Sequence, residues 1–246
     1  MSGKKLQKRK GYEDIRPEIL GGDSPFVYKE AYKKLRTNIN FLSVNSSYKK
    51  IIITSAIPNE GKSSVAINLA ATLAEKGEKV LLLDCDLRKP SIGQYIGNRK
   101  DWKTSLTDLL MGEVLPEKIS IYRHPELNFS YIPCGHIPPN PAELLGSVRM
   151  KELLQSFGKM FDYVICDTPP VSVVTDAALL SSYCDGVLMV IRQKYTSKEQ
   201  VRAAKQNLDA VHADIIGGVL NRYDIKGDIR DKSGRYGYYY EYKSGK

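Results

Sequence analysis

Residues 50–66 read KIIITSAIPNEGKSSVA, and this stretch decides the fold. Its first six residues form an apolar, β-branched run that is typical of a buried strand. From Ala56 to Ser63 the spacing matches GxxxxGK[ST], with Ala56 in place of the first glycine. A helical stretch follows from about residue 61 to 76. This order of strand, loop and helix predicts a loop that binds phosphate through backbone N–H groups and the helix N-terminus.

Apolar runs alternate with helical stretches along the rest of the chain. The runs cover residues 79–84, 127–133, 163–167, 186–192 and 215–221, and helices are predicted near 147–157, 175–183 and 197–210. The runs are continuously apolar, as strands covered on both faces require. The pattern predicts an α/β fold of the P-loop NTPase kind, a doubly wound, mostly parallel sheet with helices on both faces. Ligands of such sheets bind at the carboxyl ends of the strands.

The chain divides into three predicted parts. Residues 1–24 form a flexible basic arm, residues 25–222 the P-loop domain, and residues 223–246 a flexible tyrosine-rich tail. The domain begins with a helix from Phe26 to Leu42, because apolar residues recur there at helical spacing. That stripe consists of Tyr28, Tyr32, Leu35, Ile39 and Leu42.

Composition restricts the compartment and the class of protein. The 246 residues are 42% hydrophobic, enough for one large domain. No apolar run approaches the roughly 20 residues of a membrane-spanning helix, and none follows the basic start as a signal peptide would. We therefore expect a cytoplasmic protein. The four cysteines are scattered and are interpreted as core residues, and the three histidines show no visible partners.

The net charge of +9 raises the alternative of a nucleic-acid-binding module. The basic residues are densest at the two ends of the chain, and the sequence contains neither a helix-turn-helix nor basic–aromatic alternation on a sheet face. We therefore expect no nucleic-acid partner. A nucleotide or an anionic membrane surface fits a concentrated basic end equally well.

The loop supplies the first group of candidate site residues. Gly61 allows close approach of the backbone, Lys62 reaches the β- and γ-phosphates, and the Ser63 hydroxyl is placed to ligate Mg²⁺. The predicted ATP-binding residues of the loop are Asn59, Glu60, Gly61, Lys62, Ser63 and Ser64.

Acidic residues follow two of the predicted strands. Asp84 and Asp86 come after the run at 79–84, with Arg88 two residues further on, and Asp167 ends the run at 163–167. Carboxylates that converge on a triphosphate require a divalent cation to offset their charge. We predict that Ser63, Asp84, Asp86 and Asp167 hold Mg²⁺, that Lys62 and the three aspartates are catalytic, and that Arg88 contacts the nucleotide.

Together these motifs resemble those of the bacterial tyrosine kinases, which are autokinases of capsule and exopolysaccharide assembly. The resemblance rests on AIPNEGKSS (56–64), on the acidic pair with Arg88, and on ICDTPP (165–170). It extends over nearly the whole chain through EAYKKLRTNINF (30–41), GHIPPNPAELLGS (135–147) and YGYYYEY (236–242). The position of Lys33 is commonly an arginine in the family.

The resemblance implies a function and several roles. The chain is expected to phosphorylate its own tail at Tyr236, Tyr238, Tyr239, Tyr240 and Tyr242, and to regulate polysaccharide polymerisation and export. Glu30, Lys33 and Arg36 would mediate assembly into a ring, and Asn221 and Arg222 would contact adenine. The implied partners are a membrane-bound co-polymerase that recruits the protein to the inner face of the membrane and activates it, and a tyrosine phosphatase.

Two questions stay open at this point. Partitioning ATPases of the ParA/MinD type share the fold, but they carry a second lysine where this chain has Ile57, and they lack a tyrosine cluster. The sequence also leaves open which aspartate accepts the proton of the tyrosine hydroxyl.

Overall fold

A seven-stranded sheet forms the centre of the computed structural model, which describes residues 19–43, 47–97 and 102–223. The strand order is β3-β4-β2-β5-β1-β6-β7. All neighbouring strands are parallel except β3 and β4. The strands are β1 (Lys50–Ser55), β2 (Val80–Asp84), β3 (Tyr122–Arg123), β4 (Ser130–Ile132), β5 (Tyr163–Asp167), β6 (Gly186–Arg192) and β7 (Ile215–Asn221).

Eight α-helices connect or flank the strands in the described part of the chain. Helix α2 is the first helix after β1, and its first residues, Lys62 and Ser63, belong to the predicted phosphate loop. The helices are α1 (Phe26–Leu42), α2 (Lys62–Glu75), α3 (Ile92–Ile96), α4 (Leu106–Met111), α5 (Pro141–Leu145), α6 (Val148–Met160), α7 (Asp176–Ser181) and α8 (Lys198–Asp209).

Two apolar cores cover the two faces of the sheet. Successive strand residues point to opposite faces, so Ile51 and Ile53 enter one core and Ile52 the other. Helix α2 fills the first core, with every residue from Lys62 to Ala74 buried. Residues of α6, α7 and α8 fill the second. The predicted doubly wound fold is confirmed.

Helix α1 packs on α2 at the outside of the first core. Tyr32 and Ile39 are buried on the predicted stripe, whereas Leu42 is 41% exposed and does not belong to it. The guanidinium of Arg36 donates a hydrogen bond of 2.7 Å to the carbonyl oxygen of Thr72. Cations that reach the last turn of a helix stabilise its unpaired carbonyls. Arg36 thus joins α1 to α2.

The short elements differ from the prediction. The run at 127–133 forms a strand only at Ser130–Ile132, and its neighbour β3 is antiparallel and two residues long. Helices α3, α4 and α5 are too short to show a period in the sequence. Helix α4 owes its ends to a capping box between Ser105 and Asp108 and to Gly112 in the left-handed region.

No helix among the described residues is long and apolar enough to cross a membrane. Most of the predicted arm, residues 1–18, and the tail from residue 224 onward lie outside the described ranges. Leu20, near the end of the arm, donates its backbone N–H to the side-chain oxygen of Asn68 at 2.9 Å. The predicted boundaries of the three parts stay predictions.

Candidate active site

Gly61 shapes the phosphate loop at the start of α2. Its φ of +90° lies in the left-handed region, and a Cβ there would collide with the side-chain nitrogen of Asn221. Glycine meets both demands because it lacks a Cβ. The backbone of the loop can therefore approach a ligand closely, as the motif predicts.

Glu60 braces the loop from within. Its side chain is fully buried, and its Oε2 accepts the backbone N–H of Ile57 at 2.8 Å. Its Oε1 accepts the backbone N–H of Arg192 at 3.2 Å and the hydroxyl of Thr196. The carboxylate thus joins the loop to the end of β6. Its side chain has an architectural role, while a nucleotide contact from its backbone stays a prediction.

Lys62, Ser63 and Ser64 form the first turn of α2, and all three are at most 8% exposed. The hydroxyl of Ser91 donates a hydrogen bond to that of Ser63 at 2.6 Å. Ser64 turns inward and donates to the carbonyl oxygen of Gly61 at 2.9 Å. Lys62 and Ser63 therefore stand where the motif requires them, at a helix N-terminus that favours anions.

The three predicted aspartates meet at the same edge of the sheet. β2 and β5 are neighbours, and Asp84 and Asp167 are paired in register at their carboxyl ends. The carboxylate of Asp84 accepts the backbone N–H of Ile92 at 3.3 Å through Oδ2, and that of Asp86 accepts the N–H of Lys89 at 2.9 Å through Oδ1.

These carboxylates are poorly satisfied for such buried groups. Asp84 is 1% exposed and Asp167 is fully buried. Within the described ranges, Oδ1 of Asp84 and both carboxylate oxygens of Asp167 have no hydrogen-bond partner. Buried polar atoms without partners are rare in folded proteins, and at functional sites they mark ligands.

Burial also disfavours the ionised form of these carboxylates. Burial, with the nearby charges of Asp167 and Asp86, raises the pKa of Asp84 well above its usual range. Burial raises the pKa of Asp167 to about 7, although Lys62 and Ser63 lower it. The pKa of Asp86 is raised as well, chiefly by burial. A cation at this place would favour the charged forms.

The donor set fits Mg²⁺. This ion prefers a few carboxylates together with phosphate oxygens and water, and it is the common metal of phosphate-loop sites. Partnerless carboxylate oxygens beside a lysine and a serine hydroxyl are the ligands that such an ion requires. Ser63, Asp84, Asp86 and Asp167 would hold it.

Arg88 has a partner that the sequence did not reveal. Its Nε and one terminal nitrogen each donate to a carboxylate oxygen of Asp176 at 3.0 Å. Asp176 is the first residue of α7 and its side chain is fully buried. The pair fixes the segment after β2 against α7. A contact between Arg88 and the nucleotide stays a prediction.

Asn221 and Arg222 stand at the carboxyl end of β7, beside the phosphate loop. The Asn221 amide donates to the carbonyl oxygen of Glu60 at 2.8 Å, and its oxygen accepts the backbone N–H of Arg222 at 2.9 Å. Arg222 is exposed and has a φ of 54°. Their predicted contact with adenine is not tested by this geometry.

Several neighbours of the site escaped the sequence analysis. Ser91 touches Ser63, Asp176 holds Arg88, and Thr196 anchors Glu60. Tyr95 lies near enough to Asp167 for that carboxylate to raise the pKa of its hydroxyl, after the larger effect of burial. Of these residues, only Ser91 and Tyr95 could have been suspected from the sequence, because both follow the strand end that carries Asp84 and Asp86.

The histidine prediction was wrong for two of the three residues. Nδ1 of His124 accepts the backbone N–H of Glu126 and of Leu127 at 3.2 and 3.1 Å. Nδ1 of His136 lies 3.4 Å from a carboxylate oxygen of Asp108. The cysteine prediction fits the structure, because all four thiols are free, three are buried and Cys184 is half-buried.

The predicted assembly residues already have partners in their own chain. Lys33 pairs with Glu30 at 2.9 Å within α1, and Arg36 binds α2. Their role in a ring stays a prediction. The tyrosines of the predicted cluster at 236–242 lie outside the described residues.

The parallel sheet, the glycine-shaped loop and the aspartates at the strand ends together define a phosphate-loop nucleotide-binding protein. Residues 48–218 match the family model described as an AAA domain. The chain is 39% identical over 236 residues to the tyrosine-protein kinase YwqD of Bacillus subtilis, covering 95% of each chain. The chain belongs to the family of bacterial tyrosine-protein kinases, and its enzyme class is protein-tyrosine kinase.

Longer relatives and solved structures agree with this assignment. The chain is 37% identical over 217 residues to the putative tyrosine-protein kinase EpsB of Ralstonia nicotianae, covering 88% of itself but 28% of that protein. The kinase domain of the Escherichia coli tyrosine kinase ETK superposes with a TM-score of 0.74 at 32% identity, covering 80% of this chain and 77% of that one. The septum-site protein MinD of Pyrococcus horikoshii, solved with Mg-ADP, has a TM-score of 0.61 at 24% identity over 71% of this chain and 70% of that one. MinD thus shares the fold alone.

Proposed function

We propose that this protein is an ATP-dependent tyrosine autokinase that phosphorylates its own tail and thereby regulates the polymerisation and export of capsular or exopolysaccharide. The observation that supports it most is the cluster of Lys62, Ser63 and three buried aspartates at one sheet edge. The acceptors would be Tyr236, Tyr238, Tyr239, Tyr240 and Tyr242.

Phosphoryl transfer asks a protein for positioning and charge stabilisation. Lys62 would hold the γ-phosphate and offset the charge that spreads over its oxygens. Ser63, Asp84, Asp86 and Asp167 would hold Mg²⁺, which would supply positive charge to offset the negative charge of the phosphates. Asp84 or Asp86 would accept the proton of the tyrosine hydroxyl, whose ordinary pKa is about 10. Asp167, which is paired with Asp84, would orient the metal's water.

The length of the tail would permit docking into a neighbouring subunit and does not by itself exclude the chain's own active site. Fifteen residues separate Asn221 from Tyr236, which gives a flexible chain a typical reach of about 21 Å. Residues 230–246 carry five basic and two acidic side chains, a net charge of +3. Each phosphotyrosine adds about −1.5 to −2 charges. We propose that unmodified tails dock into neighbouring subunits of a ring, and that accumulated phosphates release them.

The proposal includes partners. A membrane-bound co-polymerase would recruit the chain to the inner face of the membrane and activate it, and a tyrosine phosphatase would reset it. We propose no nucleic-acid partner, because the sequence contains neither a helix-turn-helix nor basic–aromatic alternation on a sheet face. Adding the cytoplasmic segment of the co-polymerase should raise the rate of labelling or the affinity for nucleotide. No change in either quantity would contradict the partnership.

The central experiment incubates the purified chain with labelled ATP and Mg²⁺ and maps the phosphopeptides. Label in residues 236–242 is expected, and label confined to other peptides would refute autophosphorylation of the tail. A second experiment mixes a full-length Lys62→Met chain with an active chain that lacks residues 230–246. Label on the inactive chain indicates transfer between subunits, and its absence contradicts that route.

Light scattering tests the ring. The mass of the wild-type assembly should fall after incubation with ATP, while a chain with all five tail tyrosines changed to phenylalanine should keep its mass. Equal masses for the two proteins after full phosphorylation of the wild type would contradict the release of subunits.

A further inference from the structure

A cavity of about 530 Å³ opens beside the aspartate cluster. It lies between the segment after β2, helix α4 and the segment 133–137, and we call it the outer cavity. Its walls include Asp84, Pro90, Trp102, Asp108 and His136. Its volume is in the range of ordinary ligand sites. A second cavity of about 490 Å³, lined by Lys79 and Val80 at the start of β2, contains none of the three site aspartates.

The inner wall of the outer cavity belongs to the active site. Asp84 forms part of this wall, is 1% exposed, and has one oxygen without a hydrogen-bond partner in the described part of the chain. Trp102 also lines the cavity, and its ring packs near those of Tyr122 and Tyr131. An aromatic wall near a carboxylate suits a phenol, which has an apolar ring and a polar end.

The outer wall is acidic. One ligand-type atom each of Asp108, Glu113 and His136 lies within 4.8 Å of the others. Gly112 turns the chain after α4, so that the backbone N–H of Glu113 returns to the carbonyl oxygen of Asp108 at 2.9 Å. The backbone oxygen of His136 accepts the hydroxyl of Thr107 at 3.0 Å. Backbone hydrogen bonds therefore hold this acidic group in place.

Asp108 and Glu113 have no strong cationic partner in the part of the chain that the structure describes. Asp108 lies 3.4 Å from His136. The guanidinium of Arg149 packs over Gly112. Among the described residues, no lysine or arginine forms an ion pair within 4.0 Å of Asp108 or Glu113. A cation brought by a ligand would find Asp108 in the wall of the cavity and Glu113 beside it.

The tail carries such cations next to tyrosines. Arg235 directly precedes Tyr236, and Lys243 directly follows Tyr242. Tyr239, in the middle of the cluster, has tyrosines on both sides. We propose that the outer cavity is the acceptor site, and that Asp108 and Glu113 select tyrosines with an adjacent basic residue, so that Tyr236 and Tyr242 of a second copy of this chain are preferred.

This inference rests on the proposed function and adds a rule of substrate choice to it. The rule predicts that Asp108 and Glu113 act before the chemical step. Removing their charge should therefore raise KM for the acceptor and leave kcat nearly unchanged, because they hold the basic neighbour equally before and during transfer.

The test uses the full chain with its five tail tyrosines changed to phenylalanine as the enzyme, and peptides of residues 230–246 with one tyrosine as acceptors. The peptide with Tyr236 alone should have a KM about three to ten times lower than the same peptide with Arg235→Ala, as expected for a partly exposed ion pair. Glu113→Gln in the enzyme should abolish most of this difference. Glu113 is the better choice for substitution because Asp108 also caps α4.

A charge exchange gives the sharper result. Glu113→Arg should raise the KM of the natural peptide. It should lower the KM of a peptide with Arg235→Glu to near the value of the natural pair. Glu152→Gln, an exposed change on α6, is the matched control and should leave every KM unchanged. Equal KM values for the Arg235 and Arg235→Ala peptides, or a Glu113→Gln enzyme that keeps the full difference, would overturn the inference while peptide labelling continues. An enzyme that binds nucleotide and labels no tail peptide would overturn the proposed function, and this inference with it.

Discussion

The side-chain amide of Asn221 donates a hydrogen bond of 2.8 Å to the carbonyl oxygen of Glu60, and so ties the end of β7 to the phosphate loop. The amide nitrogen occupies the space that a Cβ on Gly61 would need. Asn221 at the end of β7 and Gly61 in the loop are therefore complementary in shape.

A Gly61→Ala substitution should damage the loop in two ways. The new methyl group would displace Asn221, and alanine at a φ of +90° is strained by about 1 kcal/mol or more. We expect nucleotide affinity to fall at least about tenfold, measured with a fluorescent ATP analogue. Gly77→Ala is the matched control, since its φ is +96° and its Cβ would meet nothing within 4 Å. Equal affinities in the two variants would show that the fit to Asn221 does not matter.

Lys62→Met should abolish autophosphorylation and leave the fold intact. The neutral side chain cannot stabilise charge on the transferred phosphoryl group, and the loss of one such contact typically costs about a hundredfold or more in rate. Circular dichroism should be unchanged, because methionine fills a similar volume. Lys159→Met, at an exposed position of α6, should label normally. Labelling of the folded Lys62→Met protein at the wild-type rate would remove the catalytic assignment.

Asp84→Ala and Asp86→Ala should each lower the rate of labelling at least about tenfold, since each removes a carboxylate that would hold Mg²⁺. The dependence of the rate on Mg²⁺ concentration should shift to higher values in both variants. Asp162→Ala, a change before β5 and far along the strand from Asp167, is the comparison. Full activity of both site variants at low Mg²⁺ would show that the metal site lies elsewhere.

The stability of the ligand-free protein should depend on Asp167. Its pKa is about 7 in the folded protein, above the ordinary value of 3.8. A raised pKa favours the protonated, folded form, so the stabilisation is complete below about pH 4 and is lost as the pH rises through 7. The melting temperature in EDTA should therefore fall from pH 5 to pH 8, and it should fall less in Asp167→Asn. Parallel curves for the two proteins would contradict the raised pKa.

Arg36→Ala should destabilise the single subunit as well as any assembly. The substitution removes the hydrogen bond to Thr72, and a charged, largely buried hydrogen bond contributes about 1.5–3 kcal/mol. The midpoint of urea unfolding should fall at a protein concentration where the chain is monomeric. Lys33→Ala, which loses only an exposed pair with Glu30, should leave this midpoint nearly unchanged. An unaltered midpoint for Arg36→Ala would leave assembly as its sole role.

The sequence predicted the large elements and the convergence of the aspartates at one sheet edge, because both follow from strong local patterns. The runs at 163–167, 186–192 and 215–221 coincide with β5, β6 and β7. Asp84 and Asp167 come together because the carboxyl ends of parallel strands share one edge. A short apolar strand and the aspartate that ends it can be recognised from the local sequence alone.

Long-range polar contacts could not be predicted in the same way. Arg88 and Asp176 are 88 residues apart, and Glu60 and Thr196 are 136 apart. Contacts between residues so far apart in the sequence produce no periodic pattern. The sequence also does not show whether a carboxylate is buried or exposed. Helix α4 was missed for a related reason, since its six residues depend on their caps. The hydrogen bonds of the Glu60 side chain inside the protein also follow only from the folded geometry.

The internal bracing by Glu60 has a consequence for the thermodynamics of nucleotide binding. Its carboxylate accepts hydrogen bonds from the N–H groups of Ile57 and Arg192 and from the Thr196 hydroxyl. Ordering a free loop would cost about 1–2 kcal/mol per residue in backbone entropy. Because these hydrogen bonds come from the chain itself, they help to order the loop independently of the nucleotide, and less of that entropy is subtracted from the affinity.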